Sequence, residues 1–282
     1  LLDLGADVGI AAAQRSLTSK AWALRSVAYR YLTKCRDVGS IPLLIDRVEH
    51  EDGRLEHELG NALFAHTGTR CWTHGQWQEW WEQHKVGFVL PPIEAVRAGI
   101  DSGAGRTIAY HGIPLVSKRI AFLVDVSGSM KERMATDKRH TRLDEAKAQL
   151  THVLRELPED HACNLIVYDA AVKPVWDHLR RVDTANRTEL LDATAQLSIG
   201  TATNVFDALE LAFQDPEVDT ICLLTDGEPT VGRLVDPDDI VDEITRWNSQ
   251  RQIVVHCIGL GVDSRLLQRL AATSGGDYRH VK

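Results

Sequence analysis

Three short stretches place oxygen-bearing side chains directly beside apolar runs. "FLVDVSGSM" (122–130) carries Asp125, Ser127 and Ser129 at alternate positions, "LLTDG" (223–227) carries Asp226, and "SIGTATNVFDAL" (198–209) offers Thr201, Thr203 and Asn204. Carboxylates and hydroxyls are hard ligands, suited to Mg²⁺ or Mn²⁺ and poorly suited to soft metals. Neutral hydroxyls in contact with such a cation leave most of its charge unquenched, and nearby aspartates orient them. An external Asp or Glu is then a strongly favourable further ligand.

Other chemistries fit these residues less well. A phosphate cradle needs G-x-x-x-x-G-K-[ST] or G-x-G-x-x-G after the strand, and "SGSMKERM" matches neither. A serine nucleophile elbow needs G-x-S-x-G, whereas Ser127 follows Asp-Val. Aspartyl phosphotransfer generally uses a second Asp two residues on, where Ser127 stands. A hydrolase would also need a positioned base, and none is evident beside the loop, so no enzymatic activity is expected.

The elements that must position these residues follow from periodicity. "IAFLVDV", "ACNLIVYDA", "TICLLTDG", "QIVVHCIGLG" and the terminal "DYRHVK" read as strands. "VKPVWDHLR" reads as a further strand, with Pro174 placing it at a sheet edge. Amphipathic segments alternate with them, among them "TRLDEAKAQLTHVLRELP", "TANRTELLDATAQL" and "SRLLQRLAATSGG". The expected fold class is α/β, a doubly wound, mostly parallel sheet, with ligands at the carboxyl ends of its strands. Asp125 and Asp226 then share one edge.

On these residues the chain resembles the von Willebrand factor type A domain. D-V-S-G-S at 125–129, the threonine of "TATN" and "LTDGEP" at 224–229 resemble that family's metal-ion-dependent adhesion site, in its order, over residues 119–282. The resemblance implies that Ser127, Ser129 and Thr203 bind the metal directly and that Asp125 and Asp226 act through water. The family commonly shows G-G-T where this chain reads G-T-A-T, so Thr201 remains the alternative to Thr203. The implied function is a metal-dependent protein-interaction module taking an acidic residue of a partner.

Residues 1–85 read as an all-α segment of three amphipathic helices, with the face Trp22, Leu24, Val27, Ala28, Tyr31, Leu32 in the first. Pro42 stands near the start of the second and Gly53 at its expected stop, while Leu55, Leu59, Ala62, Leu63 and Phe64 mark the third. Short breaks between them resemble helical hairpins of the HEAT-repeat kind. Trp77, Trp80 and Trp81 share the packing face of a further short helix. Residues 86–118, rich in Pro and Gly, read as a connecting segment. Similarity to the Ro autoantigen, which also joins helical repeats to a type A domain, makes RNA binding the alternative function.

Charge bears on that alternative. The 282 residues carry a formal −8, and residues 1–118 hold 13 basic and 13 acidic side chains, leaving 19 and 27 for the rest. No broad phosphate-binding face is expected, so nucleic acid is a disfavoured partner. The basic run Lys131, Arg133, Lys138, Arg139 and Arg142 reads as a solvated face that could also select an acidic partner.

"HELGN" (57–61) lacks the second histidine of a zinc-protease helix, and Cys71 with His74 lacks a second pair. His256, on a strand, reads as a core residue. Five cysteines without a C-x-x-C pair suggest free thiols and a reducing compartment such as the cytoplasm. No apolar run reaches a membrane span and no signal-peptide pattern opens the sequence. The start at Leu1 is that expected of a piece of a longer protein.

Overall fold

Where the sequence reading expects four helices within residues 1–85, a computed structural model that describes residues 6–100 and 108–282 holds five there and a sixth at 93–97. The chain divides into two compact units, Leu1–Arg106 and Thr107–Lys282. In the first unit α1 (Ala6–Ser16), α2 (Trp22–Lys34), α3 (Ser40–Ile45), α4 (Gly53–Thr67), α5 (His74–His84) and α6 (Ile93–Arg97) follow one another. Their core joins Leu17, Tyr29, Leu32, Ile41, Leu44, Leu59, Leu63 and Trp77. A capping box between Thr73 and Gln76 starts α5. Its Trp80 and Trp81 are half-buried against the same core, while Trp72 stands 76% exposed.

Several details differ from the sequence reading. Leu24 faces solvent at 51% exposure while Tyr29 is fully buried, its hydroxyl satisfied by donating to Glu51 at 2.7 Å. Gly53 does not stop a helix. The helix expected to begin near Pro42 is α3 and ends at Ile45, and Gly53, at φ 55°, opens α4. The intervening turns deliver Arg47 and Glu51 to a buried network: Glu51 takes Arg25 at 2.8 and 3.1 Å and Arg47 at 2.9 Å. Such a charge is tolerated inside only when paired and hydrogen-bonded.

The segment 86–118 is more than a connection. It holds α6 and a hairpin of β1 (Ala109–Tyr110) and β2 (Ile113–Pro114). His111 and Gly112 turn it with φ 48° and 81°, the left-handed pair that a tight two-residue hairpin requires. Tyr110 thereby enters the core of the second unit, edge-on to Phe122.

That unit continues through β3 (Arg119–Asp125), a 3₁₀ turn (Gly128–Lys131), α7 (Arg142–Glu156), β4 (Ala162–Tyr168), β5 (Val172–Pro174), β6 (Arg180–Arg181), α8 (Thr184–Ala195) and α9 (Val205–Gln214). It closes with β7 (Thr220–Thr225), α10 (Pro237–Arg251), β8 (Val254–Leu260), α11 (Arg265–Ser274) and β9 (Tyr278–Val281). The sheet order is β5-β4-β3-β7-β8-β9, with β6 also on β4. Strands β4, β3, β7, β8 and β9 run parallel, and β5 and β6 are antiparallel to β4.

"VKPVWDHLR" thus forms two short edge strands instead of one. The break falls at Trp176, whose N–H and C=O are both taken by the Asn164 side chain, at 3.2 and 2.7 Å. Alternate residues of β3 point to opposite layers. Ile120, Phe122 and Val124 meet Leu150 and Val153 of α7, and Ala121 and Leu123 meet Phe206, Leu209, Ile240 and Leu270 on the other side. Both faces are covered, which explains the unbroken apolar runs. The chain leaves β3 for β4 on one side and later returns to β7 on the other, so the edge between β3 and β7 is the crevice where such sheets bind ligands.

Candidate metal centre

The carboxyl ends of β3 and β7 meet at that crevice. Register pairs Val124 with Leu224, which brings Asp125, at the end of β3, and Asp226, just past β7, to the same edge. Asp125 is fully buried. Its Oδ1 accepts from the Ser127 N–H at 2.7 Å and its Oδ2 from the Thr225 hydroxyl at 2.5 Å. Burial pushes its carboxyl up to about 6, against the pull of these hydrogen bonds. A buried carboxylate of this kind is an anion short of compensation, and a nearby cation would supply it.

The hydroxyls gather around the other aspartate. Ser127 Oγ lies 3.1 Å from Ser129 Oγ, Ser129 donates to Asp226 Oδ1 at 2.6 Å, and Ser127 Oγ lies 3.4 Å from the same oxygen. Ligands of an octahedral Mg²⁺ at about 2.1 Å stand about 3 Å apart. The Ser127 and Ser129 oxygens, 3.1 Å apart, have that spacing.

Thr203 joins from a third loop. Asn204 caps α9 by accepting from the Asp207 N–H at 3.2 Å. Thr203 is clamped by its N–H to Thr230 Oγ1 at 2.9 Å and its C=O from the Thr230 N–H at 2.9 Å. A Cβ placed on Gly227 would lie 3.8 Å from Ser129 Oγ and 3.9 Å from Thr203 Oγ1, so the two hydroxyls face one space. Thr201, the alternative, is exposed and donates its N–H to Asp169 at 3.2 Å. A second glycine serves the same loop: Gly232 has φ 118°, and a Cβ there would lie 2.1 Å from Asn204 Oδ1.

Ser127, Ser129, Thr203, Asp125 and Asp226 are therefore neighbours, and all but the half-buried Ser129 are buried. Among the described residues no three His, Cys, Asp or Glu side chains form a metal-holding group. A cation here would rest on hydroxyls.

Arg142 is a member of the site that periodicity did not reveal. Read as part of a solvated basic run, it instead turns inward: Nη1 donates to Asp226 Oδ2 at 2.8 Å and Nη2 pairs with Glu132 at 3.0 Å. One signal was available. Arg142 is the first residue of α7, behind the Thr141–Asp144 capping box, where the helix dipole disfavours a cation. A positive charge kept there implies an anionic partner. Lys131, Arg133, Lys138 and Arg139 are exposed as expected.

The remaining candidates are not drawn into the site. Asn61 bonds His57 at 3.1 Å along α4, Cys71 is half-buried, and His256 is buried with its Nδ1 accepting from the Asp277 N–H at 3.0 Å. Cys163, Cys222 and Cys257 are free thiols inside the sheet. No helix of the described residues is long and apolar enough to cross a membrane.

Comparison with known proteins agrees with this architecture. The chain is 27% identical over 164 residues to human von Willebrand factor A domain-containing protein 3B, covering 56% of this chain and 11% of that protein. It is 31% identical over 187 residues to mouse inter-alpha-trypsin inhibitor heavy chain H3, covering 61% and 20%. The chain thus spans a fifth or less of the length of these relatives. Among solved structures, the von Willebrand factor type A protein from Catenulispora acidiphila aligns with a TM-score of 0.50 at 19% identity, over 60% of this chain and 40% of that one. The family model for the von Willebrand factor type A domain matches residues 118–280, more than half of the sequence, and the chain belongs to that family.

Proposed function

We propose that the second unit is a metal-dependent protein-interaction module. In this reading the hydroxyls of Ser127, Ser129 and Thr203 hold Mg²⁺ or Mn²⁺, Asp125 and Asp226 steady it through water, and a carboxylate of a partner protein completes the coordination. The observation that carries it is the convergence of the Ser127 and Ser129 hydroxyls and Asp226 Oδ1 within 3.4 Å of one another at the switch point of the sheet. When bound, the cation supplies an electrophilic anchor for an anion.

The residues themselves argue for binding over turnover. The Ser127 and Ser129 hydroxyls bond each other and Asp226, whose second oxygen is tied to Arg142. A carboxylate clamped by a guanidinium is a poor proton acceptor, so neither serine has the activating base that a nucleophile needs. Exposed Lys131, Arg133, Lys138 and Arg139 follow the first site loop and suit an acidic partner by favouring encounter and register. The helical unit, as a HEAT-like array, would act as scaffold or second interface.

Calorimetric titration with Mg²⁺ and Mn²⁺ tests the reading. Binding is expected in the wild-type chain and its loss, with folding retained, in Asp125→Ala and Asp226→Ala. Unchanged affinity in both variants would exclude this site. A pull-down with and without chelator then isolates the cation-dependent partner.

A further inference from the structure

The Asp226 carboxylate is divided between a pair of hydroxyls and a guanidinium. Oδ1 faces the serine hydroxyls, at 2.6 Å from Ser129 and 3.4 Å from Ser127, and Oδ2 faces Arg142 Nη1 at 2.8 Å. The Arg142 side chain is only 14% exposed and is also held by Glu132. Its Nε is buried without a hydrogen-bond partner among the described residues. Space for it comes from Gly261, at φ 66°, where a Cβ would lie 2.7 Å from both Nε and Nη2. Several features therefore keep a fixed positive charge one carboxylate's width from the hydroxyl cluster.

That arrangement has two effects on any cation at Ser127, Ser129 and Thr203. Arg142 withholds Oδ2, so Asp226 offers a single oxygen, and its charge opposes that of the ion across a short, poorly solvated path. We infer that Arg142 is an affinity-setting residue: it weakens the intrinsic hold of the site on its divalent cation and keeps the bound ion underneutralised, hence receptive to an external carboxylate. The inference rests on the cation reading proposed above. It adds a specific regulator within it.

Mn²⁺ alone is the probe, followed on the full chain by calorimetry and by the loss of the free-ion electron paramagnetic resonance signal. Arg142→Gln retains a donor for Oδ2 without the charge and is expected to bind Mn²⁺ about tenfold tighter, the order for removing a unit charge near a divalent ion at a partly solvated site. Arg142→Lys keeps the positive charge and is expected to bind Mn²⁺ more weakly than Arg142→Gln. Gly261→Ala, which crowds the guanidinium off Asp226, should tighten binding in the same direction and decides the matter if Arg142→Gln does not fold. Equal or weaker binding in Arg142→Gln, or in Gly261→Ala standing in for it, overturns the inference and leaves the cation reading intact. No Mn²⁺ binding by either wild type or Arg142→Gln removes the cation reading itself, and the inference with it.

Discussion

The proposed cation site depends on what is not placed in it. Gly227 faces Ser129 Oγ and Thr203 Oγ1, and a Cβ there would stand at ordinary van der Waals distance from both, 3.8 and 3.9 Å. Gly227→Ala should therefore leave the metal-free fold unstrained while filling the space that a cation and its waters would use. The expected result is an unchanged melting temperature with Mn²⁺ affinity reduced at least about tenfold, or about 1.4 kcal/mol. Wild-type affinity in this variant would move the site away from the Gly227 loop. Asp125 belongs to the same scale: its oxygens are spent on Ser127 and Thr225, so it orders the first loop more than it offers a free ligand atom.

Among the elements, the β1–β2 hairpin has the clearest measurable consequence. His111 is 7% exposed, and burial holds its imidazole down to about 4 from 6.5. Its Nδ1 lies 3.9 Å from Glu145 Oε1 of α7, at the limit of an ion pair. A depressed folded value means that its contribution to stability is fully present above pH 6.5 and is lost as pH falls toward 4, because the unfolded chain takes up the proton first. Over that window the loss attributable to His111 is about 3 kcal/mol. Asn tolerates the left-handed conformation that the turn imposes at this position, so His111→Asn keeps the hairpin and removes the titration. Urea unfolding at pH 7, 5.5 and 4.5 should show a flatter dependence in the variant. Parallel curves would place the His111 proton elsewhere.

At the scale of the whole molecule, each unit has its own core. Tyr29, Leu32, Leu59 and Trp77 build one within residues 1–106, and the sheet builds the others within 107–282. Glu51 ties the helical unit together through Arg25, Arg47 and Tyr29, with its side chain 1% exposed. Glu51→Gln leaves two guanidinium groups without their buried counter-charge and should destabilise that unit by about 3 kcal/mol. Five of the seven tryptophans, at 22, 72, 77, 80 and 81, lie in it, so tryptophan fluorescence during guanidinium unfolding reports the loss. Mn²⁺ affinity under folding conditions should remain that of wild type. A parallel fall in affinity would show that the helical unit supports the site.

The legibility of the chain varied with the range of the interaction. Continuous apolar runs identified β3, β4, β7 and β8 because both faces of those strands are buried, and the polar residues that end them marked the site edge. Pro174 correctly marked an edge strand, since an edge tolerates a residue without an N–H. The turns after α3 and the role of Gly53 were not legible, because a buried Glu51 network, not local propensity, decides where the backbone bends. Nor was the β1–β2 hairpin, two residues a side, too short for any periodicity.

By itself the sequence determined the α/β class and the hard-oxygen character of the three loops, with Asp125, Ser127, Ser129 and Asp226 as candidate ligands and the choice between Thr201 and Thr203 left open. These are local properties, written in periods of two and 3.6 and in the residue types that end each run. Only the tertiary structure decided that Thr203 faces Gly227 while Thr201 faces solvent, and that Arg142 reaches across 84 positions to occupy one oxygen of Asp226. The reason is physical: burial is encoded locally by hydropathy, whereas the partner of a charge depends on which strands and helices the sheet order makes neighbours.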